Sequence, residues 1–308
     1  MPTRNHFQPA SRMDAHFDAV RFHALPFAGS LRLVPDPGQS LHIVHAHGRG
    51  TRLQVPGGWL SLYLPLSGSL RLESADSYWE LPTGSLQAWR DGPVRASCHA
   101  SGLWLALAGP LATWQRYLPV AGHDRPEIFP RSCACPRDLR RLLVRLARAS
   151  RGGAASGRDP ARLVEAVCAA MVEQQHDLSA LLARCSGRTA QRRRQTMLRL
   201  LRVRHLIESS GDERPDLERL AHFANYSPWH LIRVHRDVFG ETPSEYAARL
   251  RLQHAWSLVR GTRASICEIS EALGFESQSA FCRSFKKTFG CTTTQARNAQ
   301  YEADPLAA

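Results

Sequence analysis

With 308 residues, 43% of them hydrophobic and 22% charged, the chain has the length for two domains, or one large one, with real cores, and is too apolar for wholesale disorder. Its 40 basic against 27 acidic side chains leave a formal charge of +13, which excludes an acidic solvating chain and points to a polyanionic partner. No apolar run approaches the roughly 20 residues of a membrane span, and no basic segment, apolar run and cleavage site open the sequence, so a cytoplasmic protein with no membrane partner is expected.

Residues 29–108 read as short strands broken by Gly and Pro turns. Leu60, Leu62, Leu64 and Leu66 alternate with Trp59, Ser61, Tyr63 and Pro65, the period-two pattern of a strand with one buried face. Ser67-Gly68 supplies a turn, Leu70 and Leu72 resume the alternation, and 82–84 breaks it again before further strands near 86–89 and 103–107. Such spacing predicts a small antiparallel barrel or sandwich, with Pro65 marking an edge or a bulge.

From Pro136 the pattern changes to helix. Leu139, Leu142, Leu143 and Leu146 share one face over 136–148, a Gly/Ala/Ser-rich loop follows at 150–160, and a second amphipathic helix is predicted for 161–183. These helices either pair two chains or cover the β region. The segment 185–189 is the expected hinge, followed by a helical region to about 298. The eight cysteines show no repeated Cys-x-x-Cys pairs and are expected to be free thiols; Cys133-x-Cys135 is a weak metal or redox motif.

The strongest signal is an internal repeat. Arg233 and Arg283, Phe239 and Phe289, Gly240 and Gly290, and Thr242 and Thr292 coincide at a shift of 50; Leu217 and Ile266, Leu220 and Ile269, and Tyr226 and Phe275 coincide at 49. Each copy reads as a short helix, a turn of small or polar residues and a longer helix ending in Phe-Gly, the layout of a helix-turn-helix. On the longer helices, one stripe comprises Trp229, Ile232, Arg233 and Arg236, and its counterpart comprises Ser279, Cys282, Arg283 and Lys286, with Gln278 at the helix start.

A helix bearing such a stripe fits the DNA major groove, where Arg grips guanine and Gln grips adenine, each good pair giving about 1–3 kcal/mol of discrimination. The alternative is an ordinary solvated face. Residues 188–300 hold 19 basic and 11 acidic side chains, so most of the excess charge lies in this third of the chain. Of the 40 basic residues only Lys286 and Lys287 are lysine; the arginine bias suits phosphate and guanine contacts and equally the codon use of a GC-rich genome.

These residues resemble the AraC/XylS transcription regulators. The resemblance rests on Tyr226-Ser227-Pro228-x-His230-Leu231-x-Arg233, Phe239-Gly240-x-Thr242-Pro243-x-x-Tyr246, Arg251-Leu252-x-x-Ala255, and Ile266-x-x-Ile269 through Gly274-Phe275-x-Ser277-x-Ser279-x-Phe281-x-Arg283-x-Phe285. It covers about residues 196–292 and implies some seven helices, with 197–209 the first and 244–258 a long linker between the two modules. Three positions depart from the family: His235 stands at a core Phe position, Thr293 and Ala296 replace Pro and Tyr, and Ile232 and Cys282 put apolar groups in the reading stripes. The Arg192–Arg194 run supplies either backbone attraction or an exposed hinge.

The β region resembles, through Tyr63-Leu64-x-Leu66-x-Gly68-x-Leu70 and Leu81-Pro82-x-Gly84, the cupin-like sensing domain that many of these regulators carry. The expected fold is therefore an α+β multidomain chain. A cupin-like β-barrel sensing domain spans 15–120, a helical, dimerisation-competent segment 121–185, and an all-α domain with two helix-turn-helix modules 190–300. The resemblance implies a small effector, with His45, His47 and Tyr63 as its expected pocket. His45-x-His47 also matches the metal pair of cupin enzymes, but residues 48–72 contain no carboxylate to complete the set, so no metal or other cofactor and no enzymatic activity are expected. Double-stranded DNA is the expected partner, with RNA polymerase and a second copy of the chain as further candidates. The rivals are a metal-dependent cupin enzyme fused to a DNA-binding domain and a nonspecific architectural DNA binder.

Overall fold

The computed structural model describes residues 20–36, 38–75, 77–119, 126–152, 159–210 and 216–298. The first residues of the expected barrel domain, most of the predicted 150–160 loop and residues 299–300 lie outside these.

Among the described residues eleven strands form two sheets. The first is six-stranded, in the order β1 (Val20–Leu25), β3 (Leu41–His47), β10 (Leu103–Pro110), β5 (Trp59–Ser67), β8 (Ser85–Trp89) and β11 (Arg131–Ala134). The second is five-stranded, in the order β2 (Ser30–Arg32), β4 (Arg52–Val55), β9 (Val94–Ser97), β6 (Leu70–Ser74) and β7 (Ser77–Leu81). Pairing is antiparallel except for β1 with β3 and β2 with β4. The expected closed barrel is thus corrected to two open sheets, each with two edge strands. Alternation along a strand reports which face is buried; it carries no information on whether the last strand bonds back to the first.

Both faces of the six-stranded sheet are covered, which is why β5 is buried almost throughout. One face, with Trp59, Tyr63, Trp104 and Trp89, packs against Leu53, Leu70, Leu72 and Ala96 of the five-stranded sheet. The other, with Leu60, Leu62, Leu64, Leu86, Leu105 and Leu107, packs under α1 (Leu111–Tyr117), α2 (Arg137–Arg151) and α3 (Pro160–Gln174). Pro65 sits in this central strand at a register shift opposite Leu103 and Trp104, where a bulge accommodates its missing N–H.

The helix predicted for 136–148 is α2. Its leucines cover the sheet, while its six arginines and single aspartate are exposed and supply a net five of the positive charges. The predicted 161–183 helix breaks at the buried Gln175 into α3 and α4 (His176–Leu182), because the Gln175 amide exchanges hydrogen bonds with the backbone of Phe129 at 2.7 and 2.9 Å.

Among the described residues seven further helices follow: α5 (Ala190–Ser209), α6 (Leu217–Ala224), α7 (Pro228–Phe239), α8 (Pro243–Gly261), α9 (Ile266–Ala272), α10 (Gln278–Phe289) and α11 (Thr293–Asn298). They enclose two cores. One gathers Met197, Leu200, Val203, Leu220, Leu231 and Val238; the other gathers Val259, Ile269, Leu273, Phe281 and Phe285. The long α8 contributes Tyr246 and Ala247 to the first and Ala255 and Val259 to the second, so it fixes one module against the other.

Candidate nucleic-acid interface

The two modules repeat in their caps as well as in their apolar positions. In the first, Asp216 caps α6, Asn225 turns the chain in the left-handed region at φ 52°, ψ 49°, and the Ser227 hydroxyl accepts the His230 N–H at 3.3 Å to start α7. In the second, Ser265 and Glu268 form a reciprocal capping box on α9, Gly274 turns the chain at φ 67°, and Ser277 accepts the Ala280 N–H at 3.1 Å to start α10. Gly240 and Gly290 then end α7 and α10 at φ 79° and 73°. The turn thus recurs 49 residues apart with different residue types, since asparagine and glycine are the residues that reach this region most readily.

Burial divides each reading helix into two faces. On α7, Leu231, Val234, His235 and Val238 are buried, whereas Trp229 is 72% exposed, Arg233 and Arg236 are exposed and Ile232 is half-buried. On α10, Phe281 and Phe285 are buried, whereas Gln278, Ser279, Arg283 and Lys286 are exposed and Cys282 is half-buried. The nine residues singled out in the sequence therefore lie on two stripes, one per module: Trp229, Ile232, Arg233 and Arg236 match Ser279, Cys282, Arg283 and Lys286, and Gln278 has no counterpart in the first.

Their local electrostatics differ. The Arg233 guanidinium lies 5.6 Å from the Trp229 ring centre and 3.3 Å from His230 Nδ1, so it is oriented while remaining exposed. Arg236 makes a loose, exposed ion pair with Glu245 at 3.4 Å. Glu245 is held below the usual carboxylate range, first by the Thr242 backbone N–H and hydroxyl it caps. Among the described residues Arg283 and Lys286 form no ion pair.

The departures from the family pattern have local explanations. His235 is fully buried, and its Nδ1 lies 2.5 Å from the Glu241 carbonyl, which assigns the proton to Nδ1. Nε2 has no partner, and burial lowers the ring's pKa to about 4, so it is neutral. Thr293 and Ala296 are buried, and Thr292 with Gln295 forms the capping pair that starts α11. Arg297 donates to the Val259 and Ala264 carbonyls at 3.2 and 2.6 Å and ties α11 down. The Arg192–Arg194 run lies in the first turns of α5, where Arg194 pairs with Glu127 at 3.4 Å.

The residues expected to line an effector pocket are not brought together. On β3, His45 lies on the helix-covered face, where its ring stacks on Phe22 at 6.5 Å; His47, two residues on, shares that face and is exposed. Tyr63 is fully buried between the two sheets. His42, between the sheets, instead meets His23 at 3.0 Å between ring nitrogens, and burial lowers its pKa to about 4. Among the described residues no three His, Cys, Asp or Glu side chains come together as a metal site, and no helix is long and apolar enough to cross a membrane.

A contact between the two halves of the chain has no counterpart in the sequence reading. Arg202 of α5 pairs with Asp91, with two very short contacts, and also donates to the Phe223 carbonyl at 3.4 Å. One turn on, His205 meets Trp79 and Trp89 edge-on, with ring centres 4.2 and 4.8 Å apart. The one sequence cue is a polar i, i+3 pair, Arg202 and His205, on a helix whose other faces are occupied by Met197, Leu200 and Val203.

The Helix-turn-helix domain family matches residues 220–299. The Probable transcription factor PqrA of Proteus vulgaris is 37% identical over 81 residues, which is 26% of this chain and 66% of that protein. The Right origin-binding protein of Escherichia coli is 36% identical over 86 residues, 28% of this chain and 30% of that protein. The chain thus spans less than two thirds of either relative. A solved transcriptional regulator from Chromobacterium violaceum, described as containing an AraC-type DNA-binding domain, shares 29% identity over 32% of this chain and 88% of its own, with a TM-score of 0.31.

Proposed function

We propose that this chain is a sequence-specific DNA-binding transcription regulator of the AraC/XylS type, a reading supported by its C-terminal helix-turn-helix domain. The observation that carries the reading is the pair of exposed stripes on α7 and α10, each at the end of a capped turn and each on a packed module. A single helix with an arginine face is common; two in matched positions on one rigid linker helix are what successive major grooves, about 34 Å apart, require.

In this reading Arg233 and Arg283 are the principal base readers, through guanine O6 and N7. Trp229, Arg236, Gln278, Ser279 and Lys286 add base or phosphate contacts, and Ile232 and Cys282 pack on thymine methyls. The excess positive charge supplies affinity, and the placement of a few side chains supplies specificity. The β-rich half senses a small effector and passes the signal to the DNA-binding half, which requires an effector with different affinities for two states of the protein. The regulator acts in the cytoplasm on duplex DNA, with RNA polymerase and a second copy as further partners, and is not an enzyme. Pairing through the exposed side of α2 is opposed by its arginines, which would face like charges in a two-fold interface.

Selection of duplexes from a random pool by the full chain tests the reading. A shared motif with two half-sites about one helical turn apart is expected. Enrichment with no motif would identify a nonspecific architectural binder instead, and no enrichment would sink the DNA-binding reading.

A further inference from the structure

The space between the two sheets is filled. Trp59, Tyr63, Leu70, Leu72 and Trp104 are all buried there, and the described residues line cavities at its margin and outside it. One of them, of about 230 Å³, lies at the junction of the two halves. Its walls come from β8 and β11 of the six-stranded sheet, from α4, and from α5 and α8 of the DNA-binding half. It is smaller than the roughly 300 Å³ at which pockets for drug-sized ligands begin, so its occupant is a single-ring molecule.

Three side chains in these walls carry buried polar atoms without partners: Gln87 Oε1, Trp89 Nε1 and His205 Nε2. Gln87 donates its amide nitrogen to the Ala88 carbonyl at 2.8 Å, which fixes the amide and leaves the oxygen as an acceptor. Trp89 Nε1 is only a donor. A buried polar group is costly to leave unsatisfied, so a molecule offering one donor to Gln87 Oε1 and one acceptor to Trp89 Nε1 satisfies two of the three.

Charge sets the class of molecule. Arg131 and Asp177 engage each other through both carboxylate oxygens at 2.8 Å. Arg204 stacks 3.9 Å from the Tyr246 ring centre, and Tyr246 donates to Glu208 through a very short bond. Glu208 is exposed as a residue, yet its carboxyl lies against the cavity walls, where desolvation raises its pKa. The walls therefore hold two cationic and two acidic side chains and favour neither an anion nor a cation. Trp89 and His205, with ring centres 4.8 Å apart, supply aromatic surface.

We propose that this junction cavity is the effector site, and that it takes a small uncharged planar molecule with a neighbouring N–H donor and carbonyl acceptor, such as a single-ring amide. The inference rests on the regulator reading above and relocates the effector from the sandwich to the seam. An occupant touching both halves resists their separation, and because α8 runs from Tyr246 to the second module, the same contact bears on how the two reading helices are held.

The probe is benzamide, with benzoate and benzylamine as charged controls of the same shape, titrated into the full chain without DNA and followed by ligand-observed NMR. Benzamide is expected to bind with a Kd in the millimolar range, at least tenfold tighter than either control. Gln87→Leu and Trp89→Phe are each expected to weaken it at least fivefold while keeping the wild-type affinity for the selected duplex, which verifies their folding. No benzamide binding, equal binding by both variants, or preference for either charged control would overturn the proposal. In the presence of the selected duplex, saturating benzamide is expected to change the Kd for DNA at least threefold in the wild type and not in Gln87→Leu; an unchanged Kd would overturn the effector role. Failure to select any duplex would instead count against the regulator reading and leave the DNA-free titration interpretable.

Discussion

Asn225 and Gly274 occupy one conformation in two copies of one turn, both left-handed, at φ 52° and 67°. The left-handed region costs a side chain with a Cβ about 1–2 kcal/mol, less for asparagine, whose short polar group bonds locally. Asn225→Gly is therefore expected to hold or slightly raise stability, and Asn225→Val to lower it by about 1–2 kcal/mol, read as the midpoint of urea unfolding. Equal midpoints for the two variants would mean that the turn is not constraining the backbone.

Arg233→Ala and Arg283→Ala are expected to cost about 1–3 kcal/mol each on the preferred duplex and to relax the preference at one base step each, in different half-sites. Fluorescence anisotropy on single-base variants of the selected motif reads this directly. Lys286→Ala, if the side chain reaches a phosphate, weakens all duplexes alike and lowers the salt slope by about one unit. A uniform loss for Arg233→Ala as well would demote that residue to a backbone contact.

His42, His205 and His235 are all lowered to about 4, chiefly by burial. The folded state holds them neutral, so below an ordinary histidine pKa of about 6.5 the unfolded chain takes up protons that the folded chain refuses. Their contribution is complete above pH ~6.5 and is lost as the pH falls toward about 4. His235→Phe, which also removes the unpartnered Nε2, is expected to flatten the fall of the urea midpoint between these limits. A parallel curve for wild type and variant would contradict the buried neutral assignment.

Asp91→Asn removes the carboxylate charge that holds Arg202 and keeps the shape. Because the pair is half-exposed, the loss of global stability is expected to be about 1 kcal/mol or less. The seam should respond more. Faster amide exchange in the C-terminal half of α5, around Arg202 and His205, and around Trp79, with little change in α10, is the expected pattern from hydrogen exchange with mass spectrometry. Uniform protection across the chain would show that the ion pair does not latch the halves.

Tyr63 buries its hydroxyl between the sheets with no more than a marginal contact to the Ser61 side chain. Tyr63→Phe is accordingly expected to leave thermal stability unchanged or raise it by up to about 1 kcal/mol, and to leave benzamide binding at the seam untouched. A loss of binding would return the effector to the space between the sheets.

The DNA-binding half was legible in the sequence because its signals are local. The 3.6-residue spacing of Leu231, His235 and Val238, the caps at Ser227 and Ser277, and the Phe-Gly stops each act within a turn or two of helix, and their recurrence at 49–50 residues exposes the duplication. The alternation in 59–66 likewise identified a strand with its leucines on one face. It could not show that both faces are covered, because that depends on helices that begin 45 or more residues later in the chain.

What only the tertiary structure decided is long-range. Two open sheets and a closed barrel share the same alternation, and they differ only in which strands meet. His45 and His47 were correctly paired on one face of their strand, but whether Tyr63 of another strand shares that face depends on how β3, β10 and β5 are aligned. The seam is the extreme case: Asp91 and Arg202 are 111 residues apart, and His205 reads as one more polar residue on an arginine-rich helix until folding brings Trp79 and Trp89 against it. Periodicity and capping are fixed by neighbours along the chain. Which surfaces then meet is fixed by the burial of every apolar face at once, and no segment carries that information alone.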